Sequence, residues 1–338
     1  MNHRQYSGAS INKKGRIGQV GTRTLTTALV ALLLVGLSIV TGAERHIRGT
    51  RQDTPPTAET TVSPSDKTDT KEAAPFKFVV YGDTRDGHAE HRKIVALILK
   101  QKPDFVLQTG DLVDEGRRAS LWKIYDNITG AMRAQVPVYP ARGNHDLGGP
   151  GYEARVTAPF TSGTKLHYSF DKANCHFIAL TVDEATAYGP KSAQYKWLIG
   201  DLEAAKQKAQ HIFVFFHVPP YSIGLHGSDL EVRHILSPIF KKYGVRLVFN
   251  GHDHNYYHTE RGSVNYIVTG GGGAPLYPCD PDKGALESDT YESVHHIVVC
   301  EVTGDLVAVT AIRMDGSQLD RFSLHSPVKV DNTAAGKK

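Results

Sequence analysis

The chain has 338 residues, and its 39 Lys and Arg against 35 Asp and Glu give a formal net charge of +4. Residues 1–48 hold seven cations and only one anion, Glu44, so the remaining chain is slightly acidic and the basicity gives no support to a nucleic-acid-binding domain. With 40% hydrophobic and 22% charged residues, global disorder, a collagen-like repeat and a polytopic membrane protein are excluded.

In chain order, a basic leader over 1–23 precedes residues 24–43, a stretch without a single charge. At about 1.5 Å per helical residue this stretch reaches about 30 Å, the thickness of a bilayer's hydrocarbon core. It predicts a transmembrane anchor or a signal sequence, with the basic side cytoplasmic and the rest of the chain exported. The small residues Thr41-Gly42-Ala43 leave cleavage open. The product is then expected on the outer face of the cytoplasmic membrane if anchored, or periplasmic or secreted if cleaved. Residues 44–75 hold almost no large apolar side chains and read as a flexible linker. A folded domain is expected over 76–326, with a flexible tail over 327–338.

Within that domain, apolar runs at 76–81, 105–108, 137–141, 177–182, 212–216 and 247–250 predict strands buried on both faces. Helical patterns cover 91–101, 121–132, 192–208 and 230–243. In the first of these, Ile94, Leu97, Ile98 and Gln101 share a face, and His88 and His91 are expected in solvent. The runs at 265–269, 296–302 and 306–313 lack intervening helices and read as hairpins. The fold class is α/β, with mixed sheets covered by helices. Three cysteines, Cys175, Cys279 and Cys300, show no C-x-x-C spacing and exclude a disulfide scaffold, although an exported protein could oxidise one pair.

Metal-capable residues recur at one place in this pattern. Gly82-Asp83 follows the first strand, Gly110-Asp111 the second, and Gly143-Asn144-His145-Asp146 the third. His217 ends the run from Phe213, and Gly251-His252-Asp253-His254 follows 247–250. Open α/β sheets place their sites at the carboxyl edge, where loops leaving the strands converge. A glycine before the polar residue lets the chain turn sharply there. Each cluster alone reads more readily as a turn or a satisfied buried histidine. All five together, each at a strand end, point to one site.

This ordered set resembles the calcineurin-like metallophosphoesterases, and the later motifs resemble their purple-acid-phosphatase-like branch. The resemblance is carried by Gly82-Asp83-x-Arg85, Gly110-Asp111-Leu112-Val113-Asp114, Gly143-Asn144-His145-Asp146, His217-Val218-Pro219-Pro220-Tyr221 and Gly251-His252-Asp253-His254-Asn255-Tyr256. Gln194, Trp197, Leu198, Asp201 and Leu202 support it. It implies an α/β/β/α sandwich and a phosphoesterase with two divalent or trivalent metal ions (Fe, Mn or Zn), acting on monoesters in preference to diesters. It also implies that Asp111 bridges the two metals, that Asp83 and His254 hold the first, and that Asn144, His217 and His252 complete the second. His145 would protonate the leaving alkoxide or stabilise the transition state. These residue types suit such ions, and two cations about 3.5–4 Å apart acidify water and clamp an in-line displacement at phosphorus.

The sequence departs from the family at two positions. Most members carry Asp-x-His where this chain has Asp83-Thr84-Arg85, and purple acid phosphatases compensate with a tyrosine where this chain has Asp114. Asp114 is therefore a candidate ligand to the first metal, which is expected to bind weakly. Arg85 has three readings: a catalytic grip on phosphate oxygens, a structural ion pair, or a lesion that removes activity. His226 is either a substrate contact or an exposed loop residue, and His258 is expected near the site without belonging to it. The run Gly270–273 is either a loop bordering the site or a plain hairpin connection. The expected partner is a small phosphate ester, with membrane contact through the N-terminal segment only; the acidic domain argues against nucleic acid. The rival reading is a non-catalytic cell-surface binding module.

Overall fold

The computed structural model describes residues 74–182 and 187–326. The expected leader, anchor, linker and C-terminal tail lie outside these residues, apart from Ala74 and Pro75. Among the described residues no helix is long and apolar enough to cross a membrane.

The strands are β1 (Phe76–Tyr81), β2 (Phe105–Gln108), β3 (Val138–Pro140), β4 (Ser162–Gly163), β5 (Tyr168–Lys172), β6 (Cys175–Ala179) and β7 (His211–Phe215). They continue with β8 (Leu247–Asn250), β9 (Tyr256–Arg261), β10 (Val264–Thr269), β11 (Thr290–Glu292), β12 (His296–Thr303), β13 (Leu306–Arg313) and β14 (Gln318–His325). The helices are α1 (His88–Gln101), α2 (Ala119–Arg133), α3 (Ala193–Lys208) and α4 (Leu230–Tyr243). One sheet runs β14-β13-β12-β1-β2-β3 and the other β11-β9-β10-β8-β7-β6-β5-β4. Neighbours β1, β2 and β3 are parallel, as are β6, β7, β8 and β10. The late strands β12, β13 and β14 pair antiparallel in sequence, as hairpins should.

Strand periodicity explains the layering. In β1, Phe76, Phe78 and Val80 face the second sheet, while Val79 and Tyr81 face α1 and α2. In β7, Phe213 and Phe215 face inward, while Ile212 and Val214 pack under α3 and α4. Alternate residues thus serve two cores, which is why these strands read as unbroken apolar runs. Between the sheets, Phe177 meets Phe78 and Phe105 edge-on at 5.2 Å and lies nearly parallel to Phe170 at 5.0 Å. Such ring pairs add to their burial. The result is the expected α/β/β/α sandwich.

Helix ends follow local chemistry. Ser192 caps α3 by accepting from the Tyr195 N–H at 3.0 Å, and Asp229 caps α4 by accepting from the Val232 N–H at 2.8 Å. The strand expected over 177–182 instead stops at Ala179, because the Gln194 side chain pairs with both backbone groups of Thr181 (2.8 and 2.7 Å). His91 corrects the expectation of solvent exposure. It lies on the buried face of α1 with Ile94, Val95 and Ile98, one turn apart, 3.5 Å from the Tyr81 hydroxyl. Burial pushes its pKa down to about 3. The three cysteines are free thiols.

Candidate metal centre

Parallel strands from both sheets end at one edge, and their loops deliver the polar clusters there. Asp83 follows β1, Asp111 follows β2, Asn144 follows β3, His217 follows β7 and His252 follows β8. Asp83, Asp111 and His252 all adopt left-handed backbone (φ 58°, 52° and 71°), a conformation that costs of order 1–3 kcal/mol for a residue with a side chain. Three such residues at one point mark a site whose surroundings hold the backbone against its preference. Glycine is required nearby by close approach. A Cβ on Gly143 would stand 2.2 Å from Asp111 Oδ1, and one on Gly251 would stand 2.3 Å from Asp83 Oδ2.

Asp83, Asp111 and His217 are fully or nearly fully buried and offer ligand atoms within 4.8 Å of one another. His217 donates from Nδ1 to the Thr109 carbonyl (2.9 Å), which turns Nε2 toward the site. Around that Nε2 stand Asn144 Oδ1 at 3.0 Å, His252 Nδ1 at 3.2 Å and Asp111 Oδ1 at 3.3 Å. Atoms each bound about 2.1 Å from one cation at about 90–109° are about 3.0–3.4 Å apart. The spacings of Asp111, Asn144 and His252 from His217 therefore suit donors to one cation, and Asp83, Asp111 and His217 form the group whose ligand atoms all lie close to one another.

The electrostatics agree. Burial opposes charge on His217, but the Asp111 carboxylate outweighs it and pushes the pKa up to about 10. Burial likewise opposes ionisation of Asp111, yet His217 holds its pKa below the usual carboxylate range. Burial raises Asp83 well above that range. Burial, then the charge on His217, push His252 down to about 2, and burial lowers His254 to about 4. A positive charge is wanted between these carboxylates, and a metal ion supplies it while leaving the imidazoles neutral.

A second tier of residues braces the ligands. Asp146, fully buried, accepts from the backbone N–H groups of Leu112 (2.8 Å), Val113 (3.2 Å) and Gly143 (2.9 Å), tying the Asp111 loop to the Asn144 loop. Burial, reinforced by the charge on Asp111, raises its pKa to about 7. Asp83 accepts the His252 N–H through both oxygens (3.0 and 3.1 Å). Asp253 accepts from the backbone N–H of His226 (2.8 Å) and of Gly227 (3.1 Å), which pins the 222–228 loop to the His252 motif. Neither Asp146 nor Asp253 received a role in the sequence reading, although both sit inside its motifs.

The remaining candidates divide clearly. His145 donates from its backbone to Asp111 Oδ1 (3.0 Å) and from Nδ1 to the Asp114 carbonyl (2.7 Å), leaving Nε2 aimed at the site 4.0 Å from Asp111 Oδ2. His254 donates from Nδ1 to the Pro275 carbonyl (2.7 Å) and faces Asp83 Oδ1 at 3.5 Å through Nε2. His226 is exposed, but its ring lies 4.1 Å from that of His252, so it lines the mouth. His258 is held elsewhere, donating to Asp320 (2.8 Å) and stacking on Phe322. The glycine run borders the site, with the Ala274 N–H donating to the Asp83 carbonyl at 2.9 Å. Asp114 departs from expectation. Its carboxylate accepts from Arg85 Nη1 at 3.1 Å rather than turning toward the ligand cluster. Tyr277, which the sequence reading missed, stacks on His254 at 4.0 Å and accepts from Arg85 Nη2 at 2.9 Å.

Comparisons with known proteins place this arrangement. Among curated proteins, the chain is 28% identical over 228 residues to purple acid phosphatase 21 of Arabidopsis thaliana, covering 63% of this chain and 51% of that one. The chain spans about half the length of the curated relatives it matches. Among solved structures, purple acid phosphatase PPD1 from yellow lupin (Lupinus luteus) seeds superposes with a TM-score of 0.66 at 17% identity, covering 75% of this chain and 54% of that one. GAP50, the anchor in the inner membrane complex of Plasmodium, gives 0.61 at 18% identity, covering 75% and 89%. At these identities the two structures share the fold. The sequence model for calcineurin-like phosphoesterases matches residues 76–256, more than half of the chain and every strand-end motif described above, and the chain belongs to the calcineurin-like phosphoesterase family.

Proposed function

We propose that the protein hydrolyses phosphate esters at this strand-edge centre with the help of bound metal. The observation that carries the reading is the convergence of Asp111, Asn144 and His252 on the His217 Nε2 at 3.0–3.3 Å. An ion held there would supply Lewis acidity toward a phosphoryl oxygen and acidify water. Asp111, Asn144, His217 and His252 would hold it, with Asp83 alongside, and the types suit Fe, Mn or Zn. The chain's own groups do the rest. His145, its Nδ1 committed to the Asp114 carbonyl, presents Nε2 for donating a proton to the departing alkoxide. Arg85, 13% exposed and paired with Asp114, adds a permanent positive charge beside Asp111. The His226 and Tyr277 rings, 5.4 Å apart, form part of the entrance.

Monoesters are the favoured substrates, supported by the purple acid phosphatase names of the curated relatives; diesters are the alternative at the same site. The domain is further read as exported and held by residues 24–43, on the strength of that uncharged stretch behind a basic leader. Steady-state rates on p-nitrophenyl phosphate and bis-p-nitrophenyl phosphate, with His145→Ala beside the wild type, test the chemistry. A monoester rate that exceeds the diester rate and falls about 10²–10⁴-fold in His145→Ala supports it. Equal rates in the two proteins would remove His145 from the mechanism. Failure to hydrolyse either ester would favour the non-catalytic module.

A further inference from the structure

The side of the centre facing away from His217 holds an arginine where the family places a ligand. Arg85 reaches it in an extended fork. Its Nη1 donates to Asp114 Oδ1 at 3.1 Å, and its Nη2 donates to the Tyr277 hydroxyl at 2.9 Å. The same Nη2 lies 3.5 Å from His254 Nε2. Because His254 commits Nδ1 to the Pro275 carbonyl, Nε2 is the nitrogen left with a lone pair, the one that would bind a metal. The Nε of Arg85 is buried with no hydrogen-bond partner among the described residues and lies 3.9 Å from Asp111 Oδ2. Asp111 Oδ1 points instead to His217. The guanidinium therefore spans the outer oxygen of Asp111 and the free nitrogen of His254, two of the atoms that the family resemblance gives to the first metal. A guanidinium has donors only and cannot ligate an ion.

We propose that Arg85 takes the place of one of the two cations, so that the protein binds a single metal ion, held by Asp111, Asn144, His217 and His252 beside Asp83. This inference rests on the metal-site reading above. Tyr277, stacked on His254 and bonded to Arg85, is the positioning residue that keeps the guanidinium there. The substitute charge is fixed, since an arginine does not lose its proton at accessible pH.

The test is metal stoichiometry on the full chain, stripped with chelator and titrated with Mn(II). Bound metal is measured by elemental analysis and by low-temperature electron paramagnetic resonance. The wild type is expected to bind one equivalent with the spectrum of an isolated ion. Arg85→His, which restores the family's usual ligand type, is expected to bind two equivalents with the spectrum of a spin-coupled pair, and Arg85→Ala to gain partial second-site binding. Two coupled equivalents in the wild type would overturn the proposal and leave the phosphoesterase reading intact. So would a second equivalent absent from both variants, since Arg85 would then not be what excludes it. No bound metal in the wild type would overturn both.

Discussion

Asp146 joins the Asp111 loop to the Asn144 loop. Its carboxylate is buried and makes three hydrogen bonds, one oxygen accepting from Leu112 and Val113 and the other from Gly143. Asp146→Ala strands three buried N–H groups, each worth about 1–3 kcal/mol when left unpaired. Because the three belong to adjoining loops and relax together, the loss is expected near the lower half of the simple sum, about 3–5 kcal/mol. Against a total stability of about 5–15 kcal/mol the variant should still fold. Asp146→Asn keeps the oxygen facing Leu112 and Val113 but turns an amide donor toward the Gly143 N–H, for about 1–3 kcal/mol. Urea unfolding followed by the fluorescence of Trp122 is the assay, since that indole bonds to the Gly116 carbonyl next to the same loops at 2.8 Å. Metal affinity should fall about 10–100-fold in parallel, because Asp111 and Asn144 lose their common brace. Both variants within about 0.5 kcal/mol of wild type would refute the reasoning, since that is the range of an ordinary surface change.

Three further outcomes follow from the geometry. Gly143→Ala should abolish metal binding measured by titration, because its methyl would fall 2.2 Å from Asp111 Oδ1 and 2.3 Å from the Asp111 nitrogen, and backbone cannot swing aside as a side-chain tip can. Phe177→Ala should cost about 3–5 kcal/mol in chemical unfolding, since it removes the ring that joins Phe78, Phe105 and Phe170 across the sandwich. His91 should make the fold acid-labile. The native state, where burial holds its pKa near 3, refuses a proton that the unfolded chain takes up near 6.5, so its contribution falls as pH drops through 6.5 and stops falling near 3. The stability difference between wild type and His91→Gln should therefore change by up to about 1.4 kcal/mol per pH unit in that window, and a flat difference would refute it.

The strands that carry the site were legible in the sequence because both of their faces are buried. Runs such as Phe213-Val214-Phe215 have no polar residue to blur them, and the metal-capable residues follow each run within a few positions. Strands that the reading passed over are of a different kind. The edge strand β14 buries only Leu324, and β9 carries His258, Glu260 and Arg261, so neither shows an apolar signal. His91 misled for the opposite reason: a polar residue type occupies a helix position whose spacing from Ile94, Val95 and Ile98 already placed it inside. Asp83, Asp111, Asn144, His217 and His252 were found from short motifs, whereas their surroundings were not. The partner of Arg85, Tyr277, lies 192 residues further along the chain, and no local pattern joins them. Asp114 was expected among the ligands from its place in the Gly110 motif, but the guanidinium opposite it, visible only in three dimensions, claims its carboxylate.

The central claim is that Asp111 anchors a metal ion that phosphate-ester hydrolysis requires. The direct measurement is turnover of p-nitrophenyl phosphate by the full chain, first stripped with chelator and then resupplied with Mn, Zn or Fe, beside Asp111→Asn treated identically. The account predicts no turnover in the stripped protein, recovery with at least one of these metals, and none in Asp111→Asn at any metal concentration. Turnover that survives metal removal, or that Asp111→Asn retains, would contradict it.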